Sequence, residues 1–453
     1  MMKEMTHGKP FPLIMGFFLP MLLGNVFQQL YNMADTVIVG KFLNVNALAA
    51  VGSTGSVSFL VIGFVIGITS GSCILPAQAF GAGNMAEMRR MVANAIYICG
   101  AAAIIITALA TSLTMPLLRL MQTPEEIIGQ AFDYIIVING GICVTIAYNL
   151  LAGILRAMGD SRSPLYFLIL SSIINIILDL VFIIIFGMGV EGAGYATVIA
   201  QAISALLCFV YIRKNFPVLR FQKGEFAFSR ILFFRILKIS IPMALQFSIT
   251  AVGSIIVQSA VNSLGTIAVA AVTAAYRLQF IVIQPMETLG VTMATYSGQN
   301  LGAGRFDRIK TGMRQALLTS MAYCFTVLLL MWFFGGSMCL LFVDAKETAV
   351  IADATYFLQT SCLFYPILGL LFLYRNMLQG VGYSFLPMMA GVSELVARAV
   401  VAFGFVGIFG FTAIVMASPA AWVAATALLV VTYLRKMKEL GKRFPVADVQ
   451  KEI

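Results

Sequence analysis

Apolar runs of roughly twenty residues or more recur along nearly the whole chain, and that is the length an α-helix needs to cross the hydrocarbon of a bilayer. No other feature narrows the choice of folds as far. Within lipid every backbone N–H and C=O must be satisfied internally, so runs of this length become helices; a barrel would show strands of about ten residues with alternating polarity. Of the 453 residues 60% are hydrophobic and only 11% are charged, far from the balance of a soluble domain. The fold class read from this pattern is an all-α polytopic membrane protein.

The apolar runs and their Gly, Pro and charged interruptions place about twelve spans, near residues 11–40, 46–76, 92–116, 130–152, 163–186, 191–213, 232–262, 266–297, 314–343, 350–379, 386–408 and 411–434. The opening MMKEMTHGKPF runs into the first span without a small-residue cleavage site, so it reads as a cytoplasmic lead-in. With that start, the inner segments hold Lys3, Lys9, Arg89, Arg90, Arg156, Arg162, the set from Arg213 to Lys238, Arg305, Arg308, Lys310, Arg314 and the basic tail. The outer loops hold only Lys41, Arg119 and Lys346. Both termini are therefore expected on the cytoplasmic side of the inner membrane, and the net charge of +10 is a topology signal with no nucleic-acid partner behind it. The seven cysteines are isolated, without CxxC spacing, and read as small core residues. His7 is the only histidine and no HExxH occurs, so no enzyme, resident metal or cofactor is expected.

The longest polar connector, Arg213 to Arg230, falls at the middle of the chain and separates two related halves. KISIPMALQFSITAVGS resembles FFLPMLLGNVFQQLYN, with Pro242 matching Pro20, and ALAAV at Ala47–Val51 matches AVAAV at Ala268–Val272. AQAFGAGN aligns with GQNLGAGR, and ILRAMGDSRSPL with MLQGVGYSFLPM, in the same order at an offset of roughly 220 residues. The expected organisation is a six-helix bundle with a cation site (1–212), a basic cytoplasmic connector (213–231) and a second six-helix bundle with a basic tail (232–453). Halves with an even number of spans enter the membrane in the same sense, which predicts a pseudo-two-fold axis along the membrane normal. The FGAG and LGAG stretches lack GK[ST] and read as tight turns between helices.

An Asp near the bilayer centre costs about 2.5–3.5 kcal/mol on insertion scales, so Asp35 in the first span calls for partners. At about 1.5 Å per residue it lies roughly 8 Å below the outer end of its span, Asp179 roughly 10 Å below the end of the fifth, and Thr197 roughly 9 Å below the start of the sixth. Asn175 is one turn from Asp179 on the same helix face. Asp35, Asn175, Asp179 and Thr197 thus form a candidate oxygen-rich cluster suited to a sodium ion or a proton. Pro20 removes a backbone hydrogen bond and is the expected hinge of the first span.

In the second half Val257 and Ala402 stand at the positions of Asp35 and Asp179, so that half lacks the cluster. It carries instead Arg277, Glu287, Arg375, Glu394 and Arg398; Glu394 and Arg398, at i and i+4, read first as a structural ion pair. The functional alternative has Arg277, Glu287, Glu394 and Arg398 lining a second-half cavity. Candidate substrate contacts are Gln28, Tyr31, Tyr148, Gln246 and Tyr276.

With its tandem halves, the Pro20 to Asp35 first span, the Asn175 and Asp179 pair and the two GAG loops, the chain resembles the multidrug and toxic compound extrusion (MATE) family over essentially its whole length. Acids in the first half make it similar to the bacterial DinF-like branch. The resemblance implies a secondary transporter that exports amphipathic, mainly cationic, organic compounds in exchange for protons or sodium ions, with Asp35, Asn175, Asp179 and Thr197 as its cation site. It also implies alternating access by a monomer whose partners are the bilayer and small organic substrates. A lipid-linked oligosaccharide flippase of the same superfamily is the alternative, although such proteins have about two more spans and a more cationic cleft.

Overall fold

The computed structural model describes residues 4–443, the side chain of Arg443 excepted. Lys3 and the tail from residue 444 onward, both counted above among the inner basic residues, lie outside the described residues. Among the described residues every regular element is helical, and ten helices are long and apolar enough to cross a membrane, or twelve when each of two bent pairs is taken as one span. The first span is Pro10–Phe42, the second Gly55–Ser72 continued by Ile74–Gly81 after a short Val45–Ser53 helix, and the third Met85–Leu120. The fourth is the pair Glu125–Gly140 and Ile142–Ala157, bent by 45° at Gly141, the fifth Arg162–Leu180 with a π-helical turn at Val181–Ile185, and the sixth Val190–Asn215. Then come the seventh (Arg230–Asn262), eighth (Thr266–Gly302) and ninth (Phe306–Cys339). The tenth is Thr348–Leu363 and Tyr365–Gly380, bent by 53°, followed by Phe385–Gly404 and Phe411–Arg443 as the eleventh and twelfth.

Both GAG stretches are tight turns. Gly83 and Gly304 take left-handed φ values of +69° and +70°, which glycine reaches without a Cβ penalty. After the first turn Asn84 caps the third span, its Oδ1 accepting from the Glu87 amide at 3.1 Å while its Nδ2 donates to the Glu87 carboxylate at 3.0 Å. All seven cysteines are free; six are buried as read from the sequence, and Cys143 is exposed.

The described chain divides into two compact units, one built on Gly16–Ser248 and the other on Met5–Met15 together with residues 249–443. Helix packing within each depends on small residues that let backbones approach. In the first unit a Cβ added at Gly71 would stand 2.5 Å from Ser240 Cα, and one at Gly67 2.6 Å from Ala244 N, so the second span lies directly on the start of the seventh. The buried hydroxyls of Ser72 and Ser240 meet there at 3.1 Å. In the second unit the eighth and tenth spans approach as closely at Gly290 and Gly380.

Arginines near the starts of the third and ninth spans hold the segments that lead into the seventh and the first. Arg308 donates to the Gly8 carbonyl at 2.7 Å and the Met5 carbonyl at 3.1 Å, and the Met5 amide donates to Gln299 Oε1 at 2.9 Å. Arg89 grips Glu225 of the connector with two bonds of 2.5 and 2.7 Å and donates to the Val218 carbonyl at 3.0 Å. This guanidinium, helped by the Gln222 amide, holds the Glu225 carboxyl at about 2, well below its usual 4.5. Because the folded value is depressed, the clamp's contribution is complete above pH 4.5 and is lost as pH falls toward 2. At neutral pH Glu225→Gln should therefore speed tryptic cleavage after Arg220 or Lys223 by roughly tenfold, read by mass spectrometry of the fragments; an unchanged rate would mean that the clamp does not hold the connector.

Candidate functional site

Asp35 and Tyr31 are one turn apart on the first span, as Asn175 and Asp179 are on the fifth, so each helix presents two polar groups on one face. The fifth span changes to π-helical turns two residues after Asp179, a widening often found where a helix carries a function. These groups converge with Thr197 of the sixth span inside the first unit. Asp179 and Asn175 are fully buried, and Asp35 and Thr197 keep only 8% and 9% of their surface.

The Asp35 and Asp179 carboxyl groups lie within hydrogen-bonding reach of each other. With the Asn175 amide oriented to satisfy its neighbours, its nitrogen donates to Asp179 Oδ2 at 3.2 Å and its oxygen accepts from the Thr197 amide at 3.2 Å. The Tyr31 hydroxyl bonds the Thr197 side chain, and Tyr134 of the fourth span stands beside both acids. One oxygen of each acid, Asp35 Oδ1 and Asp179 Oδ1, has no partner. A buried polar atom left unpaired costs about 1–3 kcal/mol, and two carboxylates in contact repel when both are ionised. A proton shared between them, or a hard monovalent cation bridging the free oxygens, relieves both costs, and the donor set of carboxylate, amide and hydroxyl oxygens fits such an ion.

The four residues read from depth and helix periodicity are thus brought together. Tyr31, read as a substrate contact, belongs to this cluster through Thr197. Tyr134 was not singled out by the sequence: it is one of fifteen tyrosines, and no periodicity marks it as facing the acids. Pro20 lies inside a helix that runs unbroken from Pro10 to Phe42. Among the remaining candidate contacts, Gln28 is exposed, Tyr148 packs against the first unit's core and Gln246 is buried. Tyr276 lies edge-on to Phe357 at 5.5 Å, with its hydroxyl on Ser418.

In the second unit the cavity grouping needs correction. Glu394 pairs with Arg398 at 3.6 Å, as its i, i+4 spacing implies, but its closer partner is Arg375 of the tenth span. Glu287 lies near Arg375. Arg277 is not part of this group. It is exposed, sits over the Phe342 ring at 5.8 Å, and lines a pocket of about 360 Å³ with Phe342, Val343 and Glu347. Ten residues of helix, roughly 15 Å, separate it from Glu287, which accounts for the difference.

Known proteins resemble this chain in sequence and in fold. The chain is 32% identical over 343 residues to the probable multidrug resistance protein YoeA of Bacillus subtilis (strain 168), covering 74% of each protein. It is 29% identical over 199 residues, 43% of each, to the DNA damage-inducible protein F of Escherichia coli (strain K12). A crystal structure of MATE in complex with MaL6 superposes with a TM-score of 0.90 at 23% identity, covering 97% of this chain and 99% of that one, a likeness of fold. The MatE family profile matches twice, at residues 20–181 and 242–403, once in each half of the repeat. The chain therefore belongs to the MatE family of multi-pass membrane transporters.

Proposed function

We propose that this protein is a secondary active multidrug efflux transporter of the inner membrane, with both termini cytoplasmic, exporting amphipathic organic compounds in exchange for inward-moving protons or sodium ions. The observation that carries the reading is the buried contact between Asp35 and Asp179, each with a free oxygen, in a segment where a charge is costly. An ion entering this site removes the repulsion between the acids and lets the face of the first span that carries Tyr31 and Asp35 pack differently against the fifth and sixth. Substrate and ion are then coupled because each favours a different packing of the same helices. The similarity to a probable multidrug resistance protein supports the choice of cargo.

The test is transport by the purified protein in vesicles, with proton and sodium gradients imposed separately. A fluorescent amphipathic cation should be concentrated against its own gradient when one of the two ion gradients is present. Equal accumulation with neither gradient would count against antiport.

A further inference from the structure

Two guanidinium groups of the second unit share one carboxylate. Arg375 takes the close position on Glu394, whereas Arg398 reaches it with a single nitrogen at 3.6 Å. All three are more than nine-tenths buried, at 6%, 8% and 3% exposure for Arg375, Arg398 and Glu394. Arg375 is enough to neutralise Glu394, so Arg398 is a second buried cation whose Nε and Nη1 have no acceptor; Arg375 Nε has none either.

The surroundings accommodate that side chain. Arg398 lies against Gly253 of the seventh span, where an added Cβ would stand 3.0 Å from Nη1, and Tyr276 is its aromatic neighbour. Glu287, half-buried on the eighth span, lies near Arg375 without pairing to it. Buried guanidinium donors without acceptors are costly until a ligand or an internal water meets them. A guanidinium presents its N–H groups as a planar fork that matches the two oxygens of a carboxylate or phosphate.

We propose that Arg398, steadied by the Arg375–Glu394 pair, binds an oxyanion, a carboxylate or a phosphate, presented by a compound the protein carries or by a lipid headgroup. The carried compound as its source rests on the efflux reading; the binding itself does not. With Glu287 near Arg375, both signs of charge stand close together in the second unit, which suits amphipathic compounds that bear an acid as well as a cation.

The experiment uses the full chain in nanodiscs and two dyes differing only at one group, rhodamine 19 with a free carboxylate and its ethyl ester rhodamine 6G, with binding read by fluorescence anisotropy. The wild type should bind the acid about tenfold more tightly than the ester. Arg398→Gln should bring that ratio to near one, and Arg398→Lys, which keeps the charge and loses the fork, should fall between. The ratio is independent of the fraction of protein that folds. If phosphatidic acid added to the disc abolishes the acid preference of the wild type, the oxyanion is a lipid headgroup's; if the preference persists, it is the carried compound's. A wild-type ratio of one, or a ratio unchanged in Arg398→Gln, overturns the proposal and leaves the spare donors to internal water alone. Binding needs no ion gradient, so a failure of gradient-driven transport would strike the efflux reading and leave this measurement standing.

Discussion

Asp35→Asn is expected to abolish efflux while the protein remains in the membrane at wild-type abundance. Asparagine keeps the size of the side chain and relieves the insertion cost of an acid in the first span, so placement in the bilayer should not suffer. Its amide can donate to the Asp179 carboxylate, which leaves the contact between the first and fifth spans in place. What the substitution removes is the second carboxylate, and with it the ability to hold a proton between two acids or to bridge an ion with two negative oxygens. Cells carrying the variant should accumulate a fluorescent amphipathic cation to the level of cells with an empty vector, with the protein present in the membrane fraction on a blot. Wild-type drug resistance in those cells would sink the assignment.

Gly380→Val should cost the second unit its fold. The last residue of the tenth span presses on the backbone of the eighth, and a Cβ there would stand 2.7 Å from Ala294 Cα and closer still to the Ala294 carbonyl. Neither backbone can yield without moving a buried helix, so overpacking at this point should exceed the usual range and cost about 3 kcal/mol or more. Gly100 is the control: it lies exposed on the third span, and a Cβ added there meets nothing within 4 Å. Size-exclusion chromatography of a fluorescent-protein fusion should lose its monodisperse peak with Gly380→Val and keep it with Gly100→Val. Equal peaks would show that the eighth and tenth spans are not packed as described.

The order of the spans was legible because lipid allows only one way to satisfy a long apolar backbone. The tenth span, read at 350–379, occupies Thr348–Leu363 and Tyr365–Gly380. Its break at Phe364 carried a mark that a reading by apolar runs alone passes over: Pro366, in the first turn of the second helix, has no N–H to continue the helix before it. The fourth span's break was marked, by the Gly140–Gly141 pair in the middle of its run. The candidate ion site came from two regularities, rise per residue for depth and the i, i+4 rule for the common face of Asn175 and Asp179. Tyr134 escaped both, because neither says which face of a neighbouring helix turns toward the acids. The same rise per residue sets Arg277 and Glu287 roughly 15 Å apart along the eighth span, too far to share one cavity wall at one depth. Arg375 came nearest to Glu394 from another helix, and pairing across helices is set by tertiary packing, which the spacing of Glu394 and Arg398 does not encode.

The central claim is that Asp35 and Asp179 carry the coupling ion. The measurement that bears on it most directly is ion movement during transport, with purified wild-type protein and Asp35→Asn in substrate-loaded vesicles, proton entry followed by a trapped pH dye and sodium entry by radioactive sodium. The wild type should move one of the two ions in fixed proportion to the substrate it releases, and Asp35→Asn should move neither. Ion entry at the wild-type rate in Asp35→Asn, or substrate release by the wild type with no ion entering, would contradict the account.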